Sequence, residues 1–371
     1  MDAPLSTLSQ LYTTTIDNRT SRLNEFTSIN NYLNLKIMKL IDSKFIYTPF
    51  STSYLTLLLY LGSIDITKDE ISNLFGINDD KNDDKIIKNM YQISCDILSS
   101  EYINMANCYF INHKYYDNIK PEYLQLLKKM GGIYSCNFIK KSHIITNQIN
   151  NWIANVTNNF ITNCIKYDMI TGLTQLIGIN VLYFRGELMH NFDRSRTKKG
   201  IFIDKSGIKK DIPLMNQVNE FNYYEDDKIQ FLEMLYDDQK FSLGIFLPKN
   251  GIEFEQNFYH KISSARKTTI NVTLPKFVQK SHINLKNLYQ KLGCKNMFEL
   301  GNAKFYNIVN NIDGLAVSEL YNDTVIIVDD TPNCQKSDKK QAMISFTANH
   351  SFHYYIKHEP SDTIIIYGIY D

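Results

Sequence analysis

The sequence lacks the short motifs that mark the common enzyme classes. It contains no phosphate-binding GxxxxGK[ST], no dinucleotide-binding GxGxxG, no HExxH and no GxSxG. The residue pattern also offers no nucleophile that can be matched to a base. We therefore predict that the protein is not an enzyme and uses no cofactor.

Signals for metal ions and disulfides are missing as well. The six cysteines are widely spread, without a CxxC pair and without a histidine at metal-ligand spacing. The densest group of histidines, His350, His353 and His358, suits neither a helix face nor a tight turn, so structural or surface roles are expected. The pattern predicts no metal and reduced thiols in a cytosolic compartment.

Neither an excess of charge nor a long apolar run is present. Lys and Arg total 40 against 39 Asp and Glu, which gives no general attraction to nucleic acid or anionic lipid. No stretch approaches the roughly 20 apolar residues that span a bilayer, and the first 26 residues lack the apolar core of a signal peptide. We expect a cytoplasmic protein that binds neither nucleic acid nor membranes. The frequent Asn, Ile, Lys and Tyr suggest an AT-rich source genome.

The periodicity that is present predicts an α+β protein. Apolar residues at helical spacing predict helices over residues 29–40, 67–74, 121–130 and 149–165. Strand patterns are concentrated after residue 173, so helices and strands are grouped rather than alternating. No linker divides the chain. We expect a loosely structured arm over residues 1–27 and a single domain over residues 28–371.

Local signals predict where several helices begin and which faces are buried. Ser51 or Ser53 is expected to cap a helix. Thr67, with Glu70 three residues later, is expected to form a capping box, and Gly76 to end that helix. Trp152 is expected on the buried face of the helix over residues 149–165, together with Val156, Phe160 and Ile161.

One stretch near the C-terminus reads as an exposed loop between two strands. The apolar run over residues 325–328 is typical of a buried strand. It stops at the sequence Asp-Asp-Thr-Pro, and the polar residues 333–341 lead into a second short apolar run over residues 342–346. Everything else in the chain can be interpreted as the structure that presents this loop.

Six segments, taken in order, resemble the serpin superfamily over about residues 29 to 370. They are FIYTPFSTSYLTLLLYLGSIDITKDEISNLFGI, INMANCYFI, INNWIANVTNNFI, LIGINVLYFRGELMHNFD, LPKF and LYQKLGCKNMF. The residues that match the family signature are Asn107, Trp152, Asn180, Tyr183, Phe184, Gly186, Pro275 and Phe277. The chain resembles a divergent intracellular serpin of the viral, poxvirus type with a shortened reactive loop.

The resemblance implies a fold and a mechanism. The serpin fold has three β-sheets surrounded by about eight or nine helices, and here its reactive loop would be residues 331–345. In inhibitory serpins a protease acylates this loop, which then inserts as a new central strand of the main sheet. The hinge of the loop would be Asp329, Asp330, Thr331, Pro332 and Asn333.

The hinge and the loop depart from what insertion requires. Pro332 stands where the family has Gly, and Pro lacks both the amide donor and the backbone freedom of a central strand. Asn333, Gln335 and Ser337 would alternate toward the interior, where an unpartnered amide costs about 1 to 3 kcal/mol. Sixteen residue steps, about 53 Å of extended chain, separate Asp330 from Phe346, fewer than the family loop usually has.

Two functions therefore follow from the resemblance. The first is a monomeric protein without the standard protease trap, which modulates a host by binding a partner protein. The alternative is an atypical serine or cysteine protease inhibitor that uses residues 333–345 as bait. Lys339 and Lys340 would suit a trypsin-like protease and Asp338 a caspase-like one, but the sequence anchors neither as the scissile position.

Overall fold

The computed structural model describes residues 24–41, 44–77, 83–249, 259–310, 314–332, 342 and 344–371. Most of the predicted arm, and the loop residues 333–341, lie outside these ranges. Within them, no helix combines the length and apolar character needed to cross a bilayer.

Nine α-helices and fourteen strands are assigned in the described ranges. The helices are α1 (Glu25–Met38), α2 (Pro49–Gly62), α3 (Asp65–Phe75), α4 (Asp83–Leu98), α5 (His113–Tyr116), α6 (Pro121–Met130), α7 (Phe138–Val156), α8 (Tyr259–Ser264) and α9 (Leu285–Lys291). The strands are β1 (Phe45–Tyr47), β2 (Ile103–Asn112), β3 (Gly132–Cys136), β4 (Leu176–Arg185), β5 (Lys198–Ile203), β6 (Lys209–Glu225), β7 (Ile229–Leu235), β8 (Phe241–Pro248), β9 (Arg266–Pro275), β10 (Phe277–Asn284), β11 (Val317–Val328), β12 (Ile344–Thr347), β13 (Phe352–His358) and β14 (Thr363–Tyr370).

The first of two sheets, called the main sheet below, has five strands in the order β10-β11-β4-β2-β3. Its central strands β4 and β11 are parallel, and β2 and β10 flank them in antiparallel pairing. One face packs against the largest core cluster, and the other packs against α7 and the residues that follow it. Burial on both faces explains why β4 and β11 read as nearly continuous apolar runs.

The second sheet joins the remaining nine strands around one long strand. The 17-residue strand β6 pairs with β5 through its first part, with β9 over residues 214–223, and with β7 at its end. The expected architecture has three sheets. Here the strands of two of them are joined by hydrogen bonds into one nine-stranded sheet. The apolar residues near the end of β6 predict a strand only over residues 221–225, because the part before them is more polar and half-exposed.

Helix α2 begins earlier than the predicted serine caps. Pro49 occupies its first turn after Thr48, whose side chain makes no capping bond, and Ser51 and Ser53 lie buried inside the helix. Pro is well suited to a first helical turn because its missing amide has no partner to lose there. The predicted cap at Ser51 or Ser53 is wrong.

The capping box predicted for α3 is also wrong, although its end is correct. The helix begins at Asp65, and Thr67 and Glu70 instead accept hydrogen bonds from the distant amides of Lys304 and Lys295. Gly76 follows the helix with φ of 69°, the left-handed conformation for which glycine is favoured.

Helix α7 covers a different range from the predicted helix over residues 149–165. It starts at Phe138 and ends at Val156, because Asn158 and Asn159 take positive φ values. Phe160 and Ile161 are therefore not helical, although their side chains still pack against the same core cluster. The segment after α7, residues 157–175, crosses the main sheet before β4 and is called the α7 linker below.

Candidate functional site

The main sheet is closed at its centre. Strands β4 and β11 pair directly from Leu176 with Val317 to Arg185 with Ile327, with one irregularity after Val317. No other strand lies between them. This parallel pairing is called the seam below, and it is the position at which an inserted strand would have to separate the sheet.

A buried polar network holds the middle of the seam. Asn180 on β4 and Asn322 on β11 are register partners, and the Asn322 amide donates to Asn180 Oδ1 and to Thr48 Oγ1. The Thr48 hydroxyl donates to Asn180 Oδ1 at 3.2 Å. All three side chains are fully buried. The start of α2 is thereby fixed to both central strands.

Asp330, which the sequence predicts as a hinge residue, lies just after β11 and is held by three side chains. Arg194 Nε and Lys276 Nζ donate to its Oδ1 at 3.0 and 2.8 Å, and Thr197 Oγ1 donates to its Oδ2 at 2.7 Å. Burial opposes ionisation of this carboxyl, whose side chain is only 2% exposed. The hydrogen bonds from Lys276, Thr197 and Arg194 outweigh burial and lower the pKa of Asp330 to about 2.

The next residue is fixed by backbone hydrogen bonds. The Thr331 amide donates to the Phe192 carbonyl at 3.0 Å, and the Arg194 amide donates to the Thr331 carbonyl at 3.3 Å. Asp329 pairs with Arg185 at the end of β4, at 3.1 Å. Pro332 follows in a turn. The predicted hinge residue Asn333 and the loop candidates Asp338, Lys339 and Lys340 lie outside the described residues.

The signature residues are distributed around the main sheet. Gly186 follows β4 where a Cβ would come within 2.6 Å of the Tyr236 ring, so a side chain there would displace that ring. Leu188 is buried and pairs with Tyr236. Phe184 packs edge-on against the same tyrosine, with ring centroids 5.1 Å apart. These residues pack the region beside the hinge.

The other signature residues also have packing roles. Asn107 and Tyr183 are buried on β2 and β4, and Pro275 is buried at the end of β9. Phe277 packs against Tyr370, with ring centroids 4.7 Å apart. Trp152 is half-buried on α7, edge-on to Phe110.

Comparisons with known proteins decide the family. A family model described as Serpin (serine protease inhibitor) matches residues 24–370. The chain belongs to the serpin family. A serpin-like protein of Acanthamoeba polyphaga mimivirus is 24% identical over 92% of this chain and 88% of its own length. Intracellular coagulation inhibitor 2 of Tachypleus tridentatus is 25% identical over 87% of this chain and 84% of its own length.

Solved structures confirm the serpin fold. Serpin-12 of Manduca sexta superposes with a TM-score of 0.82 at 20% identity, covering 92% of this chain and 97% of its own. Uncleaved ovalbumin superposes with a TM-score of 0.83 at 19% identity, covering 93% of this chain and 98% of its own. At these identities the structural likeness establishes the fold alone.

The three C-terminal histidines of this serpin lie in separate environments. His350 Nε2 lies 2.7 Å from the Pro248 carbonyl, and His353 Nδ1 contacts the Tyr367 hydroxyl. His358 contacts Ser361 and Asp96. Burial lowers the pKa of His353 to about 3, so this imidazole stays neutral at physiological pH.

Two groups of ionisable residues could not be predicted from the sequence. Lys357 and Glu233 form a buried pair at 3.2 Å within the second sheet. Cys164, His282 and Asp323 meet on the face of the main sheet that α7 covers. Burial, and then the charge of Asp323, raise the pKa of the Cys164 thiol to about 12, which opposes its use as a nucleophile. No local spacing could reveal either group, because the partners belong to distant segments.

Proposed function

We propose that this serpin acts by binding a partner protein, without the loop-insertion protease trap and without catalysis of its own. The observation that carries the proposal is the hinge. Asp330 is held by three side chains, Thr331 is paired with the segment beside it, and Pro332 follows at once. An inserting strand must begin here.

Insertion would require the hinge to give up these contacts and then to pair through Pro332. Thr331 is bonded on both its amide and its carbonyl, so moving it costs two backbone hydrogen bonds. Pro332 has no amide to donate to the new ladder. The first step of insertion is therefore unfavourable for two reasons. The hinge loses hydrogen bonds that it makes now, and Pro332 cannot replace them in the new strand.

The length available after cleavage supports the same conclusion. Nine residues run from Thr331 to Lys339, and the first of them would form the turn that reverses the chain into the sheet. The seam extends along the 10 residues of β4. At roughly 3.3 Å per residue, a segment cut at this position would fill only part of the seam.

The most direct test is to incubate the full-length protein with trypsin-like and caspase-like proteases and to analyse the mixture by denaturing electrophoresis. We expect cleavage at the loop or no reaction, and no SDS-stable complex with either protease. A variant with Lys339→Ala and Lys340→Ala serves as the control that locates trypsin-like cleavage. A stable complex that disappears in this variant would overturn the proposal.

The alternative function is reversible inhibition with the loop as bait, over residues 333–345. A bait inhibitor needs a rigid support and no strand exchange, so this alternative is compatible with a hinge held in place by its backbone hydrogen bonds. Inhibition that is relieved by dilution, and lost in the double Lys→Ala variant, would select it. The partner, a cytoplasmic location, a viral source and a monomeric state remain part of the proposal.

A further inference from the structure

The α7 linker brings a cysteine onto a histidine and an aspartate of the main sheet. His282 on β10 and Asp323 on β11 are direct register partners, and His282 Nδ1 lies 2.9 Å from Asp323 Oδ1. A nitrogen of His282, a carboxylate oxygen of Asp323 and the Cys164 Sγ all lie within 4.8 Å of one another. These three residues are called the Cys164 cluster below.

Two atoms of the cluster are buried without a partner. By distance and angle, His282 Nε2 and Asp323 Oδ2 make no hydrogen bond to any atom in the described ranges, and the neighbouring Cys164 thiol interacts electrostatically with the Asp323 carboxyl. The Asp323 side chain is 0% exposed. A buried carboxylate oxygen without a partner is costly, and in native structures such an atom calls for a water, an ion or a functional role.

We propose that the Cys164 cluster is a binding site for a divalent transition-metal ion of the zinc class. Thiolate, imidazole and carboxylate together suit Zn²⁺, whereas Mg²⁺ and Ca²⁺ prefer oxygen ligands alone. Three protein ligands leave a fourth tetrahedral position for water. The site departs from the sequence-based expectation of no metal, and it does not rest on the proposed function.

The geometry requires only a small adjustment. Ligand atoms around tetrahedral zinc are separated by roughly 3.3 to 3.7 Å, given metal–ligand distances of about 2.0 to 2.3 Å. No separation in the cluster exceeds 4.8 Å, so none has to shorten by more than about 1 Å, whereas His282 Nδ1 and Asp323 Oδ1, now 2.9 Å apart, would move apart slightly if both bound the ion. Cys164 would exchange its contact with Asn150 Oδ1, at 3.6 Å, for the metal. The thiol proton is released to solvent as the sulfur binds.

The site has an entry path and a firm base. The His282 side chain is 24% exposed although its Nε2 is buried, so an ion would enter along the exposed edge of this ring. The neighbouring Ile165 is fixed to α7, because the Asn150 side chain accepts from its amide at 3.0 Å and donates to its carbonyl at 2.9 Å. The His282 ring stacks on Tyr321, with ring centroids 4.8 Å apart. These contacts hold two of the ligands near their binding positions.

Metal binding would join the α7 linker to both strands on one side of the seam. Without the metal, Lys280 Nζ donates to the Phe160 carbonyl at 3.1 Å, and Gln175 N donates to Ser318 Oγ at 2.9 Å. A bound ion would add a stronger link between the α7 linker and the strands β10 and β11. Because the linker crosses the face of the sheet, the ion would stabilise the closed form.

The test is zinc binding to the full-length, metal-stripped protein, measured by calorimetry and by metal content after dialysis. We expect one Zn²⁺ per chain, with affinity reduced at least about tenfold by Cys164→Ser and by His282→Gln. Cys95→Ser is the matched control, since Cys95 is an exposed free cysteine outside the cluster. Its zinc affinity should equal that of the unaltered protein.

Cobalt substitution provides a second readout that does not depend on affinity. Co²⁺ bound to the unaltered protein should give a sulfur-to-cobalt charge-transfer band, and Cys164→Ser should remove it. Zinc should also raise the melting temperature of the unaltered protein but not that of Cys164→Ser. Equal zinc affinity in the unaltered protein and both cluster variants, or a cobalt spectrum without the sulfur band, would overturn the proposal.

Discussion

Lys357 is the residue whose loss should destabilise the protein most clearly. Its ammonium is buried and contacts Glu233, Glu359 and Asp362 at 3.2, 3.2 and 3.3 Å. Burial lowers its pKa, and these three carboxylates outweigh that effect and raise it. Removing one member of a buried pair leaves the other charge uncompensated, which costs about 3 to 5 kcal/mol. We expect Lys357→Met to lose that amount in urea unfolding.

Two further variants test the cause of this loss. Adding Glu233→Gln should restore part of the stability, because the orphaned charge is then removed. Lys249→Met breaks an exposed pair with Glu225, and should cost less than about 1 kcal/mol. Equal losses in the Lys357 and Lys249 variants would contradict the argument.

Asp330 should make stability depend on pH in the acid range. Its pKa is about 2 in the folded protein against 3.8 as the usual value. Its contribution is therefore complete above about pH 4 and is lost as the pH falls toward 2. The effect should be about 1 kcal/mol, because solvent partly screens Arg194 and Lys276. The Asp330→Asn variant should have a lower free energy of unfolding at pH 7. Its free energy of unfolding should also change less between pH 4 and 2. Parallel pH profiles for the two proteins would refute this assignment.

At the scale of elements, the seam depends on its buried asparagine network. Asn322→Ala should leave polar atoms of Asn180 and Thr48 with fewer partners, which costs about 1 to 3 kcal/mol. Amide exchange in β4 and β11 should accelerate more than in the second sheet. Asn104→Ala, at an exposed position on β2 of the same sheet, is the matched control and should change neither quantity.

The bounds of two helices show what the sequence could and could not predict. Helix α6 has the predicted bounds, because Pro121 begins it and Gly131 ends it. The helix predicted over residues 149–165 is wrong in its bounds because the apolar spacing continues past Asn158 and Asn159, where the backbone leaves the helix. The positive φ values of these two asparagines end the helix although the apolar periodicity continues. Side-chain periodicity alone does not show where the backbone leaves the helical conformation.

The candidate site was predictable only in part. The hinge over residues 329–333 stays a prediction, which was possible because its residues are contiguous and resemble a known pattern. Its partners could not be predicted, since Arg194 and Lys276 come from segments more than fifty residues before it. The Cys164 cluster has the same property, because strand register and the α7 linker bring its members together. Contacts of this kind depend on the topology of the fold.

At the scale of the whole molecule, cleavage of the loop should have little effect on stability. If the cut segment stays outside the main sheet, the number of strands in that sheet does not change. We expect a protein cut after Lys339 or Lys340 to melt within about 4 °C of the intact protein, roughly the effect of 1 to 2 kcal/mol. Calorimetry of the intact and cut forms measures the difference. A much larger increase would indicate that the segment has inserted.

The parallel pairing of β4 with β11 also constrains the order of folding. Leu176 and Val317 are partners although 141 residues separate them, and a connection of that length makes closure slow. During synthesis, β2, β3 and β4 can assemble early, and one edge of β4 then has no partner until β11 has been made. An unpaired edge of an apolar strand is a site of aggregation. The newly made chain is therefore most vulnerable in the interval before residue 328 is translated.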